Sequence, residues 1–216
     1  MRTKLYSPEY DHITTLANKV IYKYVKSYPL NINVVMDSIK SISFKTYSCS
    51  DNNFREMSLK MSDTGYSYQT SDKKEVVYND TAPEISQIFC IVHELGHLGL
   101  DHFSKRELFF EDICTEYNLS AYDPSQLTGI PLERYNAFCE CQERAANYFA
   151  DVLLAPNWAI DIVKPISPDE LREVFNLGNT CSEMRFDSYK RWLRLNKPIL
   201  SQLEVINSMT IPILIN

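Results

Sequence analysis

A chain of 216 residues, 44 % hydrophobic and 23 % charged, carries enough apolar material for one sizeable core or for a main domain with a small appendage. These proportions are ordinary for a soluble globular protein and exclude a disordered chain, and no apolar run approaches the length needed to span a bilayer. The net charge of −6 is unevenly placed: residues 101–140 hold eight acids against three bases. That surplus suits either a solvated loop or a rim that favours a basic substrate segment. Residues 1–16 show no apolar core followed by a small-residue cleavage site, so a cytoplasmic location is expected. The six cysteines follow no regular framework and are read as reduced thiols, with Cys90 a small buried one.

In chain order, apolar residues at Ile13, Leu16, Ala17, Val20, Ile21, Tyr24 and Val25 keep helical spacing until Pro29 stops it. A second short helix is expected within residues 30–42, from Val34, Val35 and Ile39. Over residues 55–78 the period changes to two: Met57, Leu59 and Met61, then Tyr66 and Tyr68, then Val76 and Tyr78, with turn material at 63–65 and 71–74. This pattern predicts a three-stranded antiparallel meander. Thr81-Ala82-Pro83-Glu84 reads as a capping box opening a helix whose buried stripe is Ile85, Ile88, Phe89, Val92, Leu95 and Gly99. Gly96 and Gly99 are poor choices for helix stability and imply a close neighbour. Periodicity is weak from His102 to Pro131. A strong helix over 133–154 then buries Phe138, Ala145, Phe149, Val152 and Leu153, with Glu140, Glu143, Asn147 and Asp151 on its opposite face. Carboxylates so spaced repel one another unless solvated or bound to a cation.

Two of the four histidines stand in His93-Glu94-Leu95-Gly96-His97. Residues four apart on a helix lie one above the other, so His93 and His97 can reach one metal ion. Glu94, about 100° further round, cannot join them but can reach a water beside that ion, and is the candidate general base. Zinc is the ion this pattern favours, and it needs a third protein ligand to leave the fourth position open. A metzincin would place glycine three residues and histidine six residues after His97, where this chain has Leu100 and Phe103, so that class is rejected. His102 is read as a supporting or surface histidine rather than a ligand.

The string Val77-Tyr78-Asn79-Asp80, the helix ending in the histidine pair, and Glu143-Arg144-Ala145-Ala146-Asn147-Tyr148-Phe149-Ala150 with Leu153-Leu154-Ala155-Pro156 resemble the ImmA/IrrE family of metallopeptidases. The resemblance covers roughly residues 10–195 and is strongest over the two helices. It implies an α+β zincin-like core with a three-stranded antiparallel sheet, a zinc-motif helix and a glutamate-bearing helix. It implies Glu143 as the third zinc ligand, as in gluzincins, with Glu140 a weaker substitute one turn earlier. It also implies site-specific cleavage of a regulatory protein, typically a helix-turn-helix repressor of a mobile element or stress response. The stretch between His97 and Glu143 is longer than the resemblance leads one to expect, and is placed over or beside the cleft.

The expected division is a metallopeptidase domain over 1–156 and a helical extension over 157–216, packed on it with helix-turn-helix shape. Residues 157–216 hold seven acids and seven bases, so direct nucleic-acid binding lacks its usual basic surplus. Lys190, Arg191, Arg194 and Lys197 form at most a small basic face, and the apolar end around residues 211–215 is expected to dock as a strand. Two other readings stay open: a non-proteolytic, zinc-containing regulator that binds a repressor or DNA through this extension, and a hydrolase of small amides.

Overall fold

The computed structural model describes residues 7–47 and 65–200. In chain order these form α1 (Ser7–Tyr24), α2 (Ile32–Ser38), β1 (Ser43–Tyr47), β2 (Gly65–Gln69), β3 (Lys74–Asn79), α3 (Glu84–Gly99), α4 (His102–Glu116), α5 (Gly129–Leu154), α6 (Asn157–Val163), α7 (Pro168–Phe175) and α8 (Asn179–Leu200). The fold is mixed α+β and mostly helical, with one small sheet.

The sheet corrects the antiparallel meander. Its strand order is β1-β3-β2; β2 pairs antiparallel with β3, but β1 runs parallel to it, with Phe44 opposite Val76 and Tyr47 opposite Asn79. The β2–β3 hairpin lies where the alternation placed it, but its register sets Tyr66 and Tyr68 beside Val77 and Glu75, on the face opposite Val76 and Tyr78. The third strand lies at Ser43–Tyr47, and the expected strand at 57–61 falls outside the described residues. A parallel pair cannot be closed by a short turn, so β1 reaches β3 only through the intervening chain.

α3 packs on this sheet from one side and on α5 from the other. It begins two residues later than a Thr81 cap would set it. The Thr81 hydroxyl donates to Asn79 Oδ1 at 2.7 Å and is committed there, so Pro83 precedes the first turn with no side-chain cap. Ile88, Ile91, Val92, Leu95 and Leu98 are buried, whereas Ile85 and Gly99, expected in the stripe, are exposed. The close neighbour of Gly96 is α5: a Cβ there would meet Phe149 Cδ1 at 3.1 Å and Ala146 Cα at 3.2 Å. The absent side chain lets two helix backbones approach closely.

α1 covers the other flank of α5, and Ile13, Ala17, Ile21 and Val25 enter the same core as α3. Ile160, Leu171, Phe175, Leu177, Phe186 and Tyr189 of α6, α7 and α8 extend that core without a break. Ser167 opens α7 as its sequence implies, accepting from the Glu170 amide at 3.2 Å while the Glu170 carboxylate accepts from the Ile166 amide at 2.7 Å. Asn176, with φ 53°, then turns the chain into α8. Arg185 of α8 is 1 % exposed and donates to the Ala155 carbonyl at 2.7 Å and to Asn157 Oδ1 at 2.5 Å, fastening α8 to the end of α5. No helix among the described residues is long and apolar enough to cross a membrane.

Residues 101–131, weakly periodic in sequence, are largely helical. α4 lies against the first half of α5, with Phe109 stacked on Phe138 at 4.1 Å between ring centroids and Ile113 buried between them. Glu107, Glu111, Asp112 and Glu116 face solvent on its outer side. That exposure explains the weak pattern: α4 is polar over most of its circumference, and of its residues only His102 and Ile113 are buried.

Candidate metal centre

His93 and His97 project from α3 toward α5 with their Nε2 atoms 3.0 Å apart. Glu143, on the facing side of α5, brings Oε2 to 3.3 Å from each of them. These three atoms form a nearly equilateral triangle. Zinc held tetrahedrally by bonds of about 2.0–2.1 Å sets its ligand atoms about 3.3 Å apart, so the triangle fits such an ion. The two neutral imidazoles and one carboxylate also supply the donor chemistry of an open, three-ligand site. His93, His97 and Glu143 form the one group of three or more such donors among the described residues that is placed to hold a metal ion.

The electrostatics agree with that placement. Burial works against charge on Glu143, but its contacts with His93 and His97 outweigh the burial and hold its carboxyl well below the usual range. Burial likewise opposes protonation of His93, yet the carboxylates of Glu143 and Glu94 raise its pKa above the ordinary histidine value. Two imidazoles crowded against a carboxylate attract positive charge, which a bound cation supplies as well as protons do.

Glu94 is 8 % exposed and lies on the sheet side of the histidines. Its Oε2 accepts a 2.5 Å hydrogen bond from the Ser67 hydroxyl of β2. The carboxylate is therefore fixed between the metal helix and an edge strand of the sheet as described, a position from which it can exchange protons with a reactant at the histidine pair.

Each of the three donors is in turn held by a neighbour. His93 Nδ1 lies 2.9 Å from Asn147 Oδ1, one turn beyond Glu143 on α5. His97 Nδ1 lies 2.9 Å from Nδ1 of the buried His102. Arg106 Nη2 donates to Glu143 Oε1 at 2.8 Å. Burial first, and then the nearby His97, Arg106 and Lys105, push the His102 pKa down to about 3.

The sequence-derived group His93, Glu94, His97 and Glu143 thus comes together in space. Glu140 does not join it: its side chain is exposed and pairs at 3.7 Å with Arg144. Asp151 leaves the expected acidic face altogether. It is buried against α8, where it accepts from the Cys181 thiol at 3.3 Å, because α5 turns that position away from α3. His102 is the supporting histidine rather than a surface one. Ser67 and Arg106 were not singled out by the sequence. Strand alternation puts Ser67 on the face opposite Tyr66 and Tyr68, and Arg106 follows His102 by one helical turn, but neither pattern is specific enough to identify a site.

A buried α3 carrying two histidines and a glutamate, facing a glutamate on a second helix, defines a metallopeptidase-type centre. A scan against protein families matches residues 49–177 to a peptidase family described as the IrrE N-terminal-like domain. The match covers more than half of the chain and spans every residue of the centre: the chain belongs to this family and is an ImmA/IrrE family metallopeptidase. No curated protein matches the chain.

Proposed function

We propose that the protein is a zinc endopeptidase that makes a site-specific cut in a cytoplasmic regulatory protein, of the helix-turn-helix repressor kind that governs mobile elements or stress responses. The observation that supports this most is the triangle of His93, His97 and Glu143 donor atoms, 3.0–3.3 Å on its edges, with Glu94 fixed beside it. His93, His97 and Glu143 would hold the zinc, which when bound supplies Lewis acidity toward a scissile carbonyl and toward water. Glu94 takes the proton of the attacking water and passes it to the leaving amine. Ser67 keeps the carboxylate aimed during both transfers. β2 is an edge of the sheet as described, and an extended substrate segment pairing with it would run past Glu94, since strand addition is a common way to hold a peptide.

Labelling of protein N-termini in host cells expressing the wild type or Glu94→Gln tests this reading. A new terminus in a regulatory protein, present only with the wild type, is the expected result and names the substrate. Identical terminus profiles, with both proteins retaining zinc, contradict it and favour a regulator that acts by docking through its C-terminal helices.

A further inference from the structure

We propose that α4 is the positioning element of the metal centre: His102 orients His97, and Arg106 orients Glu143. The inference rests on the metal-site reading above and assigns a role to the segment between the two ligand helices.

The chain reaches this arrangement through a tight corner. Asp101 adopts the left-handed conformation, with φ 55°, and the Lys105 ammonium donates to the Leu100 carbonyl at 2.7 Å at the end of α3. α4 therefore starts beside the helix it has just left, and its first residue turns back under His97. An imidazole that offers Nε2 to a cation carries its proton on Nδ1. In His97 that proton points at His102 Nδ1, 2.9 Å away, which accepts it. Without an acceptor there, the tautomer with N–H pointing into the cluster is no longer disfavoured.

One turn along α4, on the same face, Arg106 Nη2 donates to Glu143 Oε1 and leaves Oε2 turned to the histidines. Its Nε donates to Gln142 Oε1 at 2.5 Å, and Gln142 Nε2 donates to the His102 carbonyl at 3.2 Å. The contacts close a loop from His102 through Gln142 and Arg106 to Glu143. A guanidinium beside a cation site opposes the cation on charge alone. Its contribution here is to fix which carboxylate oxygen faces the site, and the opposite signs of charge and positioning separate the two experimentally.

The test is zinc affinity of the full-length protein by chelator competition, with the visible spectrum of the cobalt form and the melting temperature of the metal-free form as companions. His102→Leu is expected to weaken zinc about 10–100-fold and to change the cobalt spectrum, while metal-free melting stays put. His102→Asn keeps an acceptor near the position of Nδ1 and is expected to restore affinity to near the wild-type value. Arg106→Met is expected to weaken zinc about tenfold, although loss of a positive charge alone would tighten it. Wild-type affinity in both His102→Leu and Arg106→Met overturns the proposal, as does a His102→Asn protein no better than His102→Leu. If His102→Leu fails to fold, the half-buried Arg106→Met decides, and tighter binding there rejects positioning. A wild type that binds no zinc rejects the metal site itself, a distinct outcome.

Discussion

α3 and α4 are consecutive helices joined by a two-residue corner, and they contribute to one site in opposite ways. α3 is buried over most of its length, packs on both the sheet and α5, and carries the two histidines and Glu94 among apolar residues. α4 buries only His102 and Ile113 and meets the site through polar contacts from His102 and Arg106. Donors are placed by a helix that cannot move without disturbing the core. Their hydrogen-bond partners come partly from a helix whose sequence is otherwise free to vary with solvent. Precise placement of reacting groups thus depends on packing, and fine orientation on polar contacts to a surface element.

This contrast predicts a ranking of effects. Glu94→Gln on α3 should lower peptide cleavage about 10²–10⁴-fold while bound zinc is unchanged, measured by turnover and metal content on the same preparation. Gly96→Val should lower the unfolding free energy by about 1–3 kcal/mol in urea titration, because its side chain must displace Phe149 or the Ala146 backbone. Ser67→Ala should reduce kcat about fivefold, the loss of roughly 1 kcal/mol for a hydrogen bond to a carboxylate that water replaces in part, with KM little changed.

Glu75 on β3 extends the buried side of the comparison. Burial would raise its pKa, but Lys73 and Lys45, at 2.5 and 3.0 Å, bring it down to about 2. The folded protein then binds fewer protons at this group than the unfolded chain does. Its stabilisation is present above the ordinary carboxylate pKa and is lost as pH falls through about 2. Glu75→Gln should therefore cost about 1 kcal/mol at pH 7, a figure kept small by the two half-exposed lysines, and the gap to wild type should close in strong acid. Glu111→Gln, on the outer face of α4, should change stability by less than about 0.5 kcal/mol. A loss as large as that of Gly96→Val there would break the contrast between the helices.

The same contrast explains what could be read from the sequence. α3 and α5 announced themselves because apolar periodicity and the four-residue histidine spacing are local, and Glu143 followed from the helix pattern of the resembling family. The sheet was half legible. Alternation and turn residues reveal the β2–β3 hairpin, but the parallel β1–β3 pair joins segments some thirty residues apart, with no local signal of the pairing. β1 is also only five residues long, with Ser43, Lys45 and Thr46 breaking up any apolar run. α4 gave no clear periodicity because it buries little. Arg106 and Ser67 remained hidden for a related reason: a polar residue becomes informative only when its distant partner is known. Asp151 was misplaced by assuming one polar face along all of α5, whereas α8 covers the end of that face.

In the proposed site His93, His97 and Glu143 together hold a zinc ion with one position open. X-ray absorption at the zinc edge, on protein loaded with one equivalent, tests it most directly. Two imidazole nitrogens and oxygen ligands at about 2.0–2.1 Å in a four-coordinate shell are expected, with one histidine lost in His97→Ala. A shell containing sulfur at about 2.3 Å, or one unchanged in His97→Ala, would place the metal elsewhere and contradict the site.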